Sequence, residues 1–126
     1  MLLSRLGEIC LALPDAFEED AWTGVRWCVG TRNFAHMVSV EDGSPPAYAA
    51  AAKTDGPAVV VTFRTPEPQH YANGGDIAPF FWPGWFPNMV GVVIDASTDW
   101  VELGALIEQS YRLLAPKRSV AALDAR

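Results

Sequence analysis

The sequence predicts an α+β fold, a two-layer sandwich in which an antiparallel sheet carries N- and C-terminal helices on one face. Three observations predict it. Leu3, Leu6, Cys10 and Leu13 recur at helical spacing near the start. Leu103, Leu106, Ile107, Tyr111 and Leu114 form a second apolar stripe behind Asp99 and Glu102, which have capping-box spacing. Between them lie β-branched and aromatic runs separated by glycine and proline turns, the pattern of antiparallel strands. Packing both helices on one sheet face is the economical way to bury these stripes.

The first helix is expected over residues 2–13, because Pro14 cannot continue it. Residues 15–20 are acidic and expected as exposed loop. Residues 25–29 and 33–40 read as two strands joined at Gly30-Thr31, and a glycine at the first loop position suits a tight type II′ hairpin. That turn sets Val29 opposite Arg32, Trp27 opposite Phe34 and Val25 opposite His36. Val25, Trp27, Val29, Phe34, His36 and Val38 would then share one face. Arg26, Cys28, Asn33, Ala35 and Met37 would share the other.

Residues 41–57 are turn-rich around an alanine segment at 47–52, with Ser44 ahead of Pro45-Pro46 as a candidate helix cap. Residues 58–64 are strongly β-branched and predict a third strand. A brief helix over 66–71 is stopped by Asn73-Gly74-Gly75. Residues 80–88 read as an aromatic, proline-rich loop, and 90–95 as the last strand. The capped helix follows and ends at Pro116. Residues 1–118 form one domain in this reading, with 119–126 as a tail.

The chain has 126 residues, half of them apolar, which suffices for one core without disulfide or metal staples. Its formal net charge is −6, from nine basic and fifteen acidic residues. That charge repels phosphate backbones and anionic membranes on average. Cys10 and Cys28 are too few for a disulfide framework and sit in apolar runs, so buried reduced thiols are expected. The start lacks a secretory pattern. Residues 77–94 are uncharged, but Pro79, Pro83, Pro87, Gly84 and Gly91 forbid a membrane helix there. A cytoplasmic protein is expected.

Several segments, taken in order, resemble the MmcQ/YjbR family. They are Ile9-Cys10-Leu11-Ala12-Leu13-Pro14, then Trp22-Thr23-Gly24 with the hairpin after it, and the closing Ser110-Tyr111-Arg112-Leu113-Leu114-Ala115-Pro116-Lys117-Arg118. The stretch from Gly84-Trp85 to Asp99-Trp100 is similar to the branch found in high-GC Gram-positive bacteria. The resemblance implies a CyaY-like fold and carries the label of DNA binding. Basic residues beside the penultimate-loop tryptophan, present in some members, are missing here. A CyaY-like fold also invites comparison with frataxin and its acidic first helix, but the first helix here holds only Glu8.

Two function classes follow. For DNA binding, the candidates are Arg26, Arg32, Lys117 and Arg118, which lie in two segments without acids, 21–40 and 109–123. If these segments are neighbours, a β-ribbon and phosphate contacts become available. The alternative is a module that binds a small molecule or a protein through the aromatic loop, with Trp82, Trp85 and Asn88 as candidates. Five rings fall within 80–86, and prolines stiffen that stretch. A homodimer through this loop belongs to the same class. No phosphate-binding loop, dinucleotide fingerprint, CxxC or nucleophile elbow is present, so no enzyme, cofactor or metal site is expected. His70 and Asp76 supply two potential ligands where a site wants three or more. The register above places Cys28 and His36 on opposite faces.

Overall fold

A computed structural model describes residues 2–72 and 77–126. In chain order the elements are α1 (Leu2–Leu11), β1 (Phe17–Asp20), β2 (Val25–Val29), β3 (Arg32–Val40), α2 (Pro46–Ala52), β4 (Ala58–Arg64), α3 (Gln69–Ala72), β5 (Phe80–Phe81), β6 (Met89–Ile94), α4 (Trp100–Leu114) and α5 (Lys117–Asp124). The strands form one antiparallel sheet in the order β1-β2-β3-β4-β6-β5. This is the predicted α+β architecture. The proposed stop at Asn73-Gly74-Gly75 and the His70–Asp76 pair fall on positions outside the described residues. Among the described residues no helix is long and apolar enough to cross a membrane.

Both long apolar stripes land on one sheet face, the inner face. Leu6 and Cys10 of α1 and Leu103, Leu106, Ile107 and Tyr111 of α4 pack there against Trp27, Met37, Val61, Phe63 and Val90. Each large side chain removed from water contributes roughly 1.5–3 kcal/mol. Asp99 caps α4 as its spacing predicts, accepting from the Glu102 N–H at 3.0 Å. The opposite, outer face is not bare. α2 lies across it, and Ala49 joins Val38, Val40, Val60 and Phe81 in a second, smaller core.

The hairpin register departs from prediction beyond the turn. Val29 does face Arg32, and Cys28 faces Asn33, but Trp27 then faces Ala35, Arg26 faces His36 and Val25 faces Met37. Phe34 is the extra residue of a β-bulge. Phe34 and Ala35 therefore both bury in the inner core, where the Phe34 ring meets Tyr111 edge-on at 5.5 Å. From Ala35 onward the alternation is inverted. His36 turns to the outer face, beside Arg26 and on the same side as Cys28. The predicted separation of Cys28 from His36 is thereby corrected.

Three further segments differ from their predicted form. The acidic stretch is a strand rather than a loop, because Phe17–Asp20 pairs along β2 as the sheet edge. A charged edge strand resists further pairing, which fits its composition. Ser44 does not cap α2. Pro45 occupies that position, and with prolines at 45 and 46 the first turn has fewer N–H groups to satisfy. Residues 119–126 are no tail, since Pro116 ends α4 and starts α5. α5 is held by the Ser119 hydroxyl donating to Asp15 Oδ2 at 2.8 Å and by Arg112 pairing with Asp124 at 2.8 Å.

Candidate functional site

The bulge decides what the outer face presents. With His36 turned outward, its Nε2 lies 2.6 Å from the Thr23 carbonyl and its Nδ1 lies 3.2 Å from the Tyr48 hydroxyl. A carbonyl only accepts, so Nε2 carries the proton, and Nδ1 accepts from Tyr48. Burial pushes the His36 pKa below the ordinary imidazole value of 6.5; the Thr23 bond opposes this and the Arg26 charge reinforces it. Both ring nitrogens are thus engaged in the neutral form. Tyr48, fixed from below by His36, meets Trp85 edge-on with centroids 4.8 Å apart.

The five rings of residues 80–86 divide between core and surface. Phe81 is buried over Gly91, and Phe80 packs on Tyr71 at 4.7 Å. Trp82, Trp85 and Phe86 are 50%, 39% and 49% exposed. Trp85 and Phe86 are held in place. Arg64 lies 4.3 Å over the Phe86 ring and donates to Asn88 Oδ1 at 2.8 Å, while the Asn88 carbonyl accepts from Thr65 N at 2.9 Å. Asn88, a predicted ligand contact, acts here as a fastener that joins the loop to β4.

The cationic candidates separate into two groups. Arg26 Nε donates to Glu19 Oε1 at 2.6 Å, so its charge is offset by the edge strand. Arg32 sits at the hairpin turn, and Lys117 and Arg118 are exposed in the first turn of α5. A Cβ on Gly30 would stand 3.5 Å from Pro116 Cγ, so the turn abuts the α4–α5 corner. Arg32, Lys117 and Arg118 accordingly lie at the same end of the sheet. Arg64 belongs to the same end: burial, then the Arg32 charge, lowers its pKa.

Candidate chemistry elsewhere is subdued. Both cysteines are free and buried. Burial pushes the Cys28 thiol up to about 11, aided by its contact with Glu19, and burial raises Cys10 further. Thiols so raised stay protonated and unreactive at neutral pH. Among the described residues no group of three or more His, Cys, Asp and Glu is placed to hold a metal ion.

Three residues that matter here escaped the sequence reading. Arg64 closes a strand in which Val60 and Thr62 already alternate with the inner Val61 and Phe63, so its outward direction was available. Tyr48 is the one large ring in an alanine-rich helix. Trp22 is 98% exposed on the turn before β2. No pattern in the sequence marks it as such. The model of a family described as YjbR matches residues 11–113, and no curated protein matches the chain.

Proposed function

The chain belongs to the YjbR family, and from that premise we propose that it is a recognition module rather than a catalyst, binding a small molecule or a protein segment at Trp82 and Trp85. One observation carries this reading: two exposed rings of the loop are pinned, Trp85 by Tyr48 and Phe86 by Arg64 and Asn88. Rings fixed before a ligand arrives lose little entropy when it binds, so their contact area is converted into affinity efficiently. The non-catalytic part of the reading is supported by thiols held protonated and by a histidine whose two nitrogens are both occupied.

DNA binding is the second reading, favoured by the position of Arg32, Lys117 and Arg118 at the same end of the sheet, beside Gly30 and Pro116. Two titrations separate them. In a ligand-observed NMR screen of aromatic fragments, the loop reading expects hits that vanish in Trp85→Ala; a screen without Trp85-dependent hits removes it. Labelled duplex at low salt should bind, and lose binding in Arg32→Ala with Lys117→Ala, only on the second reading.

A further inference from the structure

Beside Tyr48, a cavity of about 350 Å³ opens between the turn at Ala21-Trp22-Thr23, the start of α2 and strands β2 and β3. We propose that it is a binding site for a small planar aromatic acid. A cavity of this size accommodates a molecule of one or two rings. Its walls are flat and apolar: the indole of Trp22, the ring of Tyr48, and Pro45 and Pro46. An indole left 98% exposed beside such a cavity has its whole face available for stacking.

The polar content of the walls selects the charge. Among the described residues, Arg26 is the one charged side chain lining the cavity. Glu19 binds it through Nε and is not itself part of the lining, so the two Nη groups are left for a ligand, with Glu19 as a competing carboxylate. That edge suits a carboxylate in the bidentate geometry arginine favours. His36 adds a neutral wall, since Thr23 and Tyr48 occupy both its nitrogens. The guanidinium edge that Glu19 leaves open, on walls that also carry two rings, calls for a flat, singly negative aromatic ligand. The site goes beyond the loop reading: Trp82 and Trp85 do not line it, and either proposal can fail alone.

Isothermal titration of the full chain tests this with indole-3-carboxylate as probe and indole-3-carboxamide as its neutral isostere. The carboxylate should bind at least about tenfold more tightly than the amide, and Arg26→Gln should erase that difference. Glu19→Gln, which relieves Arg26 of its competing carboxylate, should tighten the carboxylate. Trp22→Ala should weaken both probes with no change in melting temperature, because the indole supports nothing else. Equal binding of acid and amide, weaker acid binding in Glu19→Gln, or no acid binding at millimolar concentration overturns the proposal. Acid binding lost in Trp85→Ala yet kept in Trp22→Ala and Arg26→Gln would place the probe on the loop and also overturn it.

Discussion

Ser110 is a polar residue of α4 with no exposure to solvent. The β3–β4 ladder ends at Ala35 and Phe63, and one residue further on the Ser110 hydroxyl bridges the strands, donating to the Phe34 carbonyl at 2.6 Å and accepting from Arg64 N at 2.9 Å. A helix side chain thus supplies the link at the bulge. Ser110→Ala removes both bonds and leaves a donor and an acceptor at a site that water reaches poorly. Each bond is worth about 1 kcal/mol net, and each buried group left unpaired costs about 1–3 kcal/mol. Two such groups make the expected cost about 2–6 kcal/mol, a large part of a typical domain's roughly 5–15 kcal/mol. Urea unfolding followed by far-UV circular dichroism measures it; the midpoint should fall at unchanged slope, since the surface exposed on unfolding is the same. A loss below about 0.5 kcal/mol would refute the argument, showing that these backbone groups find other partners and that the bulge does not depend on α4.

Two further predictions concern the outer face. His36 is held neutral, with a folded pKa below its unfolded value near 6.5, so the unfolded chain binds the extra proton first; its contribution is complete above pH 6.5 and is lost as pH falls below it. Unfolding free energy should therefore drop between pH 7 and 5 in the native chain and drop less steeply in His36→Gln, and equal slopes would show that His36 does not titrate with folding. A Cβ on Gly91 would run into the Phe81 ring, so Gly91→Ala should cost about 1–3 kcal/mol by overpacking. Thermal unfolding checks this, and Phe81→Leu in the same chain should restore part of the loss; an unchanged melting temperature would mean that the β5 edge yields freely.

The legible parts of this fold were those where burial leaves a period in the sequence. α4 is amphipathic along its length and carries its own cap, and β4 is β-branched because both its faces are covered. The hairpin was legible only as far as Cys28 and Asn33. A bulge leaves no mark when the doubled residues, Phe34 and Ala35, are both apolar, and everything after it inverts. That inversion hid the site, because it moved His36 from the face it was expected to share with Trp27 to the contact with Tyr48. β1 was missed because acids are poor strand formers, although an edge strand has reason to be charged. With β1 went Glu19, hence the pairing that removes Arg26 from the free cations. α5 was missed because a proline that ends one helix can also open the next.

Two of the segments that carry the family resemblance, the opening and the closing one, have a fastening role. The Tyr111 hydroxyl donates to the Pro14 carbonyl at 2.8 Å, and Ser119 donates to Asp15, so the closing motif is tied to the end of the opening one. These bonds secure α4 and α5 to the turn after α1 on the inner side of the sheet. They do not reach the outer face, where Trp22, Tyr48 and Trp85 lie. These two segments therefore bear on the frame, and the ligand is decided by the outer rings and by the cationic corner. The family match, residues 11–113, also stops short of Lys117 and Arg118. A DNA reading must accordingly stand on local electrostatics. Three phosphate contacts by Arg32, Lys117 and Arg118 would release about three counterions, a salt slope near −2.7 against the −10 or so of a strong specific binder. On a chain of net charge −6, that corner alone supports at most weak, salt-labile attachment to a duplex.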